Sequence, residues 1–207
     1  MLNMNFQTLI VTAVALVITV VLHELAHGYM ALAFGDDTAK NMGRLTLNPL
    51  AHLNPMGMLS LIVFRFGWAN PVPVNFSRLR PRRLGLILVS IAGIGVNLIL
   101  GFLSAICFVL ANYYSGNKIL IDLFTMLMIY NVSFAIFNIL PLPPLDGSKL
   151  VVSFFPYKFQ NLFYKYEKYL YILLLILVFT RTINRFISPI IMSIISSFLN
   201  IATRIIR

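Results

Sequence analysis

Long apolar segments dominate this sequence and limit the folds it can adopt. The three longest cover residues 6–34, 84–114 and 118–140. A helix of about 20 apolar residues crosses the roughly 30 Å hydrocarbon core of a bilayer. Only 11% of the residues are charged, against about a quarter in a typical soluble domain. The sequence therefore predicts an all-α polytopic membrane protein.

The residues between and after these segments include turn-forming residues and shorter apolar stretches. Residues 38–83 contain repeated Asn-Pro pairs and glycines, which mark turns. Three short apolar stretches within them indicate strands or a re-entrant piece: residues 45–47, 58–66 and 71–75. Two further apolar stretches, expected to be helices, close the chain at residues 169–180 and 186–203. We expect one membrane-embedded domain over residues 1–207, with five to six transmembrane helices and a small β or re-entrant region after the first.

The basic residues indicate how the chain is oriented. It has 16 Lys and Arg against 6 Asp and Glu, a net charge of +10. In a soluble domain this excess would suggest nucleic acid, but in a membrane protein basic residues collect in cytoplasmic loops. If five segments cross, all but three of the 16 fall on the side of residues 38–83; the three are Lys118, Arg181 and Arg185. We predict that this side is cytoplasmic, with the N-terminus outside, and expect no nucleic-acid partner.

Whether residues 58–66 also cross is a separate question. The stretch is short for a full crossing, and a crossing there would reduce the bias from 13 against 3 to 11 against 5. Cys107 is the only cysteine, so an intramolecular disulfide and a cysteine metal cluster are excluded. The first apolar segment lacks the basic start and small-residue cleavage site of a signal peptide, and we expect it to be retained.

Two histidines interrupt the first apolar segment. His23 and His27 are four residues apart, so on a helix they lie on one face, one turn apart. Both imidazoles can then reach one zinc ion, while Glu24, beside the first, can polarise a water and carry its proton to a leaving amine. The spacing predicts a catalytic zinc site.

A catalytic zinc needs a third protein ligand and an open position. Asp146 is the best candidate among the six acidic residues, because it lies in residues 141–147, a proline-rich segment that cannot be regular helix and can turn a carboxylate inward. With five crossings, Asp146 lies at the same membrane face as the cytoplasmic half of the first helix. We also consider a proton or cation relay and a polar cluster for helix packing, but charged groups are costly in a membrane helix unless they are used.

Several separated motifs resemble the site-2 protease family of intramembrane zinc metalloproteases. Residues 23–28 (HELAHG) match the zinc helix of the family, and residues 138–147 (NILPLPPLDG) match its Asn-x-x-Pro and Pro-x-Asp-Gly segment. Residues 90–98 resemble its Ala-Gly-Pro-x-x-Asn stretch, although Ile94 stands where the family usually has proline. Residues 67–74 are similar to its proline-containing hairpin. The match is to a minimal form without a PDZ or CBS domain.

The resemblance implies a function and a set of roles. His23, His27 and Asp146 would hold one zinc ion per chain, Glu24 would be the catalytic base, and Asn138 would hold the substrate backbone or the oxyanion. The substrate would be a transmembrane protein, cleaved in the bilayer of the cell membrane with the active site toward the cytoplasm.

Two other polar residues have open roles. His52 could support the site residues from behind or act as a substrate gate. A loop histidine is more commonly solvated or caps a turn. Asn97 is interpreted either as a hydrogen-bonding partner near the site or as a packing residue between helices. The sequence does not indicate an oligomeric state.

Overall fold

The computed structural model describes residues 6–54, 56–57 and 70–206, and the regular structure within them is helical. The helices are α1 (Phe6–Ala33), α2 (Thr38–Asn41), α3 (Arg82–Leu110), α4 (Lys118–Asn138), α5 (Asp146–Ser153), α6 (Tyr157–Phe179) and α7 (Thr182–Ile206). A 3-10 turn covers Pro49–Ala51, and α3 continues into a π-helical turn at Ala111–Ser115.

Four of these helices are long and apolar enough to cross a membrane: α1, α3, α4 and α7. The expected five to six crossings are not confirmed. The fourth expected crossing in chain order, residues 169–180, is only the second half of α6, so the predicted start of this helix is wrong. Residues 157–168 contain charged and tyrosine side chains but no Gly or Pro, so nothing in them stops the helix.

The expected β or re-entrant region is not confirmed either. Residues 45–47 and 71–75 have no regular secondary structure, and residues 58–66 lie outside the described part of the chain. The described segments are instead joined by several scattered hydrogen bonds. The Asn70 amide donates to the His52 carbonyl (2.7 Å), and the Arg80 amide donates to the Phe34 carbonyl (2.8 Å). Residues 70–81 therefore lie against the segment that follows α1.

A buried carboxylate adds to this connection. Asp36 is 1% exposed and accepts hydrogen bonds from the Thr38 amide (3.1 Å) and from the Asn75 amide (2.6 Å). Because the two donors belong to separate segments, Asp36 connects the end of α1 to residues 71–75, where Pro71 and Pro73 favour an extended backbone.

Helix α3 is the centre of the bundle and packs against α1, α4, α5 and α7. Gly101 allows α4 to come close, since a Cβ there would lie 2.9 Å from the Val132 side chain. One polar pair joins α1 to α4 inside this apolar contact: the Asn131 side chain donates to the Thr19 hydroxyl (3.0 Å). These contacts hold the three site-bearing helices α1, α3 and α4 together.

The direction of α7 follows from its packing. Ile183 and Ile187, near its start, pack with Leu145, next to the end of α4. Near its other end, Ala202 packs with Ala105, in the last third of α3. Helix α7 therefore runs parallel to α3, from the end of the bundle where α3 begins to the end where α3 finishes. This direction differs from the one that five crossings require.

Candidate metal centre

The paired histidines lie in the last third of α1, on the side facing α3 and α4. His23 is 3% exposed and His27 is 7% exposed, and their Nε2 atoms are 3.0 Å apart. His27 is six residues before the end of α1, which at 1.5 Å per residue places it about 9 Å inside that end. The predicted i, i+4 geometry thus brings both imidazoles to one point in the bundle.

Asp146 reaches the same point from a different part of the chain. It is the first residue of α5 and is 4% exposed, after residues 139–145, which form no helix. The predicted non-helical segment 141–147 is therefore wrong at its last two residues, because no proline follows Pro144 and the helix can begin at Asp146. Its Oδ2 lies 3.1 Å from Nε2 of His23 and 3.0 Å from Nε2 of His27. Gly147 makes this turn possible, because a Cβ there would lie 2.1 Å from the Ile139 carbonyl oxygen.

Hydrogen bonds at the other ring nitrogen fix how the two imidazoles face the centre. Nδ1 of His23 donates to Oδ1 of Asn97 (3.0 Å), and Nδ1 of His27 donates to the Val89 carbonyl oxygen (2.7 Å). Both acceptors lie on α3. Because each Nδ1 carries the proton, each Nε2 points its lone pair toward Asp146, the orientation of a metal-binding histidine.

The donor set fits zinc. One nitrogen from each histidine and one Asp146 oxygen all lie within 4.8 Å of one another. Ligand atoms about 2.0–2.1 Å from a tetrahedral zinc lie roughly 3.3 Å from each other, close to the 3.0–3.1 Å separations seen here. Three lone-pair donors so close together repel each other unless a cation or proton lies between them. Two imidazoles and one carboxylate also leave a fourth position open, as in catalytic zinc sites.

On the α3 side, the two histidine rings face Gly93, which has no side chain. A Cβ at Gly93 would lie 2.5 Å from Nε2 of His27 and 2.6 Å from Cε1 of His23. Any larger residue would therefore occupy the space of the imidazoles. The family pattern drew attention to this stretch of α3, but its glycine is explained by the close approach of the two rings.

Glu24 lies beside the first histidine and has a partner of its own. Its Oε2 accepts a hydrogen bond from the backbone amide of Val72 (2.8 Å). Val72 is buried, and its side chain lies where Gly28 leaves room on α1. The extended residues 71–75 are thus held against the helix that carries the histidines, and the Glu24 carboxylate has a defined orientation.

Two polar residues outside the three-residue cluster have definite positions. Lys149, one turn along α5, places its ammonium 3.1 Å from Oδ1 of Asp146, the carboxylate oxygen that faces away from the histidines. Asn138 is 6% exposed at the end of α4, and its amide donates to the Phe134 carbonyl (2.9 Å). The Phe134 ring in turn contacts His23 edge-on, with 4.8 Å between ring centroids. Among the described contacts, Asn138 makes none with the three clustered residues.

The structure excludes one of the interpretations of His52. Its side chain is fully buried, so the solvated interpretation is wrong. Nε2 of His52 donates to the Thr46 carbonyl (2.8 Å), which closes the loop after α2. The described contacts of His52 are with this loop and with Asn70, not with the candidate metal centre.

Several residues of the site could not be identified from the spacing of residue types in the sequence. The Val89 carbonyl and the Val72 amide act through the backbone, so their side chains do not reveal them. Lys149 could have been found, because it lies three residues after Asp146 and shares its helix face.

Comparison with known proteins places the chain in a family. Its sequence is 41% identical over 173 residues to the Bacillus subtilis (strain 168) protein named "Putative zinc metalloprotease YwhC", covering 81% of this chain and 79% of the relative. The sequence profile of peptidase family M50 matches residues 113–180. The chain belongs to peptidase family M50, the site-2 protease family.

A second relative is more distant. The Mycolicibacterium smegmatis protein named "Putative zinc metalloprotease Rip2" is 28% identical over 170 residues, covering 79% of this chain and 64% of the relative. No solved structure is significantly similar to the chain. The M50 profile spans Asn138 and Asp146 but not His23 or His27.

Proposed function

We propose that this chain is an intramembrane zinc metalloendopeptidase that cleaves transmembrane protein substrates. The observation that carries the proposal is the convergence of His23, His27 and Asp146, with both histidine Nδ1 protons donated away from the centre. Membership in the M50 family and the names of both relatives support a metalloprotease. His23, His27 and Asp146 would hold one zinc ion per chain.

Glu24 is the proposed base. Zinc, when bound, supplies a Lewis acid that lowers the pKa of a water toward about 7. The Val72 amide holds Oε2 of Glu24, so Oε1 is left to accept a proton from the attacking water and to deliver it to the leaving amine. Fixing one oxygen restricts the carboxylate to a single orientation, which favours a repeated proton transfer at one atom.

Asn138 is the proposed substrate-binding group. Its side-chain nitrogen carries two N–H groups, and one of them donates to Phe134. The other can donate to a substrate carbonyl, where a hydrogen bond would stabilise the negative charge that develops during hydrolysis. A transmembrane substrate must unwind first, because a helix keeps its carbonyls in its own hydrogen bonds. The extended residues 71–75 lie against α1 beside Glu24 and offer backbone groups to an unwound strand.

The proposed location is the cell membrane, with several crossings and with the active site toward the cytoplasm. Residues 34–54, 70–81 and 139–156 lie at the site end of the bundle, meaning the end where α1 and α4 finish and α3 begins. Arg44, Arg78, Arg80 and Lys149 lie in these segments, so the site end is rich in Lys and Arg, as cytoplasmic faces are.

Reconstitution tests the proposal. The purified protein in liposomes, with candidate transmembrane substrates, is compared with Glu24→Gln and Asp146→Ala. We expect cleavage products from the wild type only. Elemental analysis should find about one zinc per chain in wild type and in Glu24→Gln, and much less in Asp146→Ala, because a lost ligand weakens metal binding.

The same liposomes separate the rival functions. A proton or cation relay predicts ion movement across sealed vesicles without products, and an inactive scaffold predicts neither. Identical product patterns from wild type and from Glu24→Gln, with zinc present in both, would refute the proposed role of Glu24 and with it the protease mechanism.

A further inference from the structure

A groove separate from the metal centre runs between α5 and α6. One part of it is a cavity of about 310 Å³. Apart from Gln160, its lining side chains are apolar or aromatic, and they include Val151, Phe155, Phe159, Phe163 and Leu170. Phe155 and Phe159 are about half exposed. This part of the groove, which we call the apolar end, has the volume and the apolar lining to hold part of a hydrocarbon chain.

The groove continues into a second cavity of about 340 Å³, which we call the basic end. Phe155 and Gln160 line both cavities, so the two ends adjoin. Arg82 and Arg83 line the basic end, and the Arg83 guanidinium lies 5.9 Å from the centre of the Phe154 ring. The first turn of α3, which carries both arginines, has no acidic residue. The basic end is therefore complementary to an anion.

The groove lies at the level of a membrane interface if α3 spans the bilayer. Arg82 and Arg83 are the first two residues of that helix, at the site end of the bundle. Helix α6 begins beside them, and its later residues Leu174 and Leu177 pack near Leu145, still at the site end. Tyr and Lys side chains are exposed along α6, at Tyr164, Tyr166, Lys168 and Tyr169. Tyrosines and lysines of this kind anchor helices at the headgroup level.

We propose that this groove binds an anionic phospholipid, with its phosphate at Arg82 and Arg83 and an acyl chain in the apolar end. Each cavity is at the low end of the roughly 300–1,000 Å³ typical of small-molecule sites. A lipid joins an anion directly to a hydrocarbon chain, as the groove joins its two ends. The site rests on the transmembrane placement of α3 but not on protease activity. Its ligand would contact α5, the helix that begins with Asp146.

Photolabelling tests the site. Purified protein in a neutral detergent receives phosphatidylglycerol with a photoactivatable diazirine in its acyl chain, or phosphatidylcholine carrying the same group. Labelled peptides are mapped by mass spectrometry. We expect labelling within residues 151–170 and a preference for phosphatidylglycerol on the order of tenfold, since each arginine near a lipid surface strengthens binding to an anion severalfold.

Two variants and a matched control locate the effect. The double substitution Arg82→Gln, Arg83→Gln should remove the preference, whereas Arg181→Gln, Arg185→Gln removes the same charge elsewhere and should retain it. Val151→Trp, which fills the apolar end, should reduce labelling by both lipids even if the arginine variant does not fold. Zinc content and gel filtration check each variant.

Several outcomes would overturn the proposal. They are equal labelling by the two lipids, a preference that survives the Arg82 and Arg83 substitutions, and labelling that Val151→Trp leaves unchanged. Loss of labelling on addition of a transmembrane substrate peptide would assign the groove to the substrate instead, and loss on addition of soluble glycerol phosphate would assign it to free phosphate. None of these outcomes depends on catalysis, so the protease proposal stands or falls separately.

Discussion

Gly93 is the position where α3 comes nearest to the paired imidazoles. A Cβ there would lie 2.5 Å from Nε2 of His27, closer than van der Waals contact allows. We predict that Gly93→Ala displaces the His27 ring and lowers zinc affinity at least tenfold, as measured by competition with a chromogenic chelator. The estimate of about tenfold follows from disturbed ligand orientation.

Gly95 is the matched control for this substitution. It lies two residues further along α3, and nothing lies within 4 Å of a Cβ built there. Because alanine is a better helix former than glycine by roughly 0.5–1 kcal/mol, Gly95→Ala should bind zinc normally and raise the melting temperature slightly. Equal zinc affinities in the two variants would mean that the rings do not pack against Gly93 as described.

Asn97 acts on the metal centre through His23. Its Oδ1 accepts the Nδ1 proton and so leaves Nε2 free to bind a metal. We predict that Asn97→Leu weakens zinc binding about 10- to 100-fold, the usual effect of removing an outer-shell partner. Asn97→Asp retains an acceptor and should bind zinc nearly as the wild type does. A role in helix packing alone would instead favour the apolar leucine over the charged aspartate.

The residues of the centre could be predicted from sequence to different degrees. His23 and His27 are recognisable because one helix carries both, and their spacing sets their geometry. Asp146 could be proposed because carboxylates are rare in this chain, prolines precede it and residues 138–147 match a family segment. The sequence leaves the role of Asn97 open, because it does not show whether this helical side chain points toward the histidines. Gly93 has no side chain to recognise, and its importance depends on the distance between two helices.

At the scale of elements, the extended residues 71–75 control the orientation of Glu24. Val72→Pro removes the N–H that binds Oε2 of Glu24, and extended backbone tolerates proline. We predict that this variant loses about tenfold or more in kcat, typical of misplaced acid–base groups, with unchanged zinc content. Val72→Ala shortens the side chain but keeps the N–H, so its kcat should fall much less.

The link between α1 and these residues depends on the charge of Asp36. Burial raises the pKa of Asp36, but hydrogen bonds from Thr38 and from the Asn75 amide lower it further, so the net pKa lies below the ordinary 3.8. A carboxyl with a lowered folded-state pKa stabilises the fold at neutral pH, and this contribution is lost as the pH falls below about 4. Asp36→Asn should cost about 1–3 kcal/mol at pH 7, and less at pH 3.

Thermal unfolding in detergent at the two pH values measures this difference. Asp37 is the matched control, because it is about half exposed and pairs with Arg78 at the surface. A surface ion pair contributes roughly 0–1 kcal/mol, so Asp37→Asn should change the melting temperature little. If both variants behaved alike at both pH values, Asp36 would not connect the two segments.

Helix α6 shows why element boundaries could not all be predicted. Its apolar second half resembles a short crossing, while its first half is a mixture of tyrosines, lysines and apolar residues that predicts no single structure. Both halves belong to one helix because no glycine or proline follows Pro156 within it. The sequence pattern distinguishes polar from apolar residues, but it cannot distinguish a cytoplasmic loop from a helix lying along the interface.

For the whole molecule, the charge bias could not settle the number of crossings. Five crossings place Arg181 and Arg185 opposite the site end and Arg204 and Arg207 on its side. Four crossings exchange these two pairs, so the count stays at 13 against 3. Only packing separates the alternatives, and α7 begins beside Leu145 and ends beside Ala105.

The direction of α7 leads to a prediction about the C-terminus. In a Cys107→Ser background, single cysteines at Asn41, Ser115, Thr180 and Ile205 are treated in oriented vesicles with a membrane-impermeant maleimide. Because α7 runs parallel to α3, Ile205→Cys should react from the same side as Ser115→Cys, and Thr180→Cys from the same side as Asn41→Cys. Five crossings predict the reverse pairing for both test positions. If Ile205→Cys reacted together with Asn41→Cys, α6 would cross the bilayer and could not lie along its interface beside the proposed lipid groove.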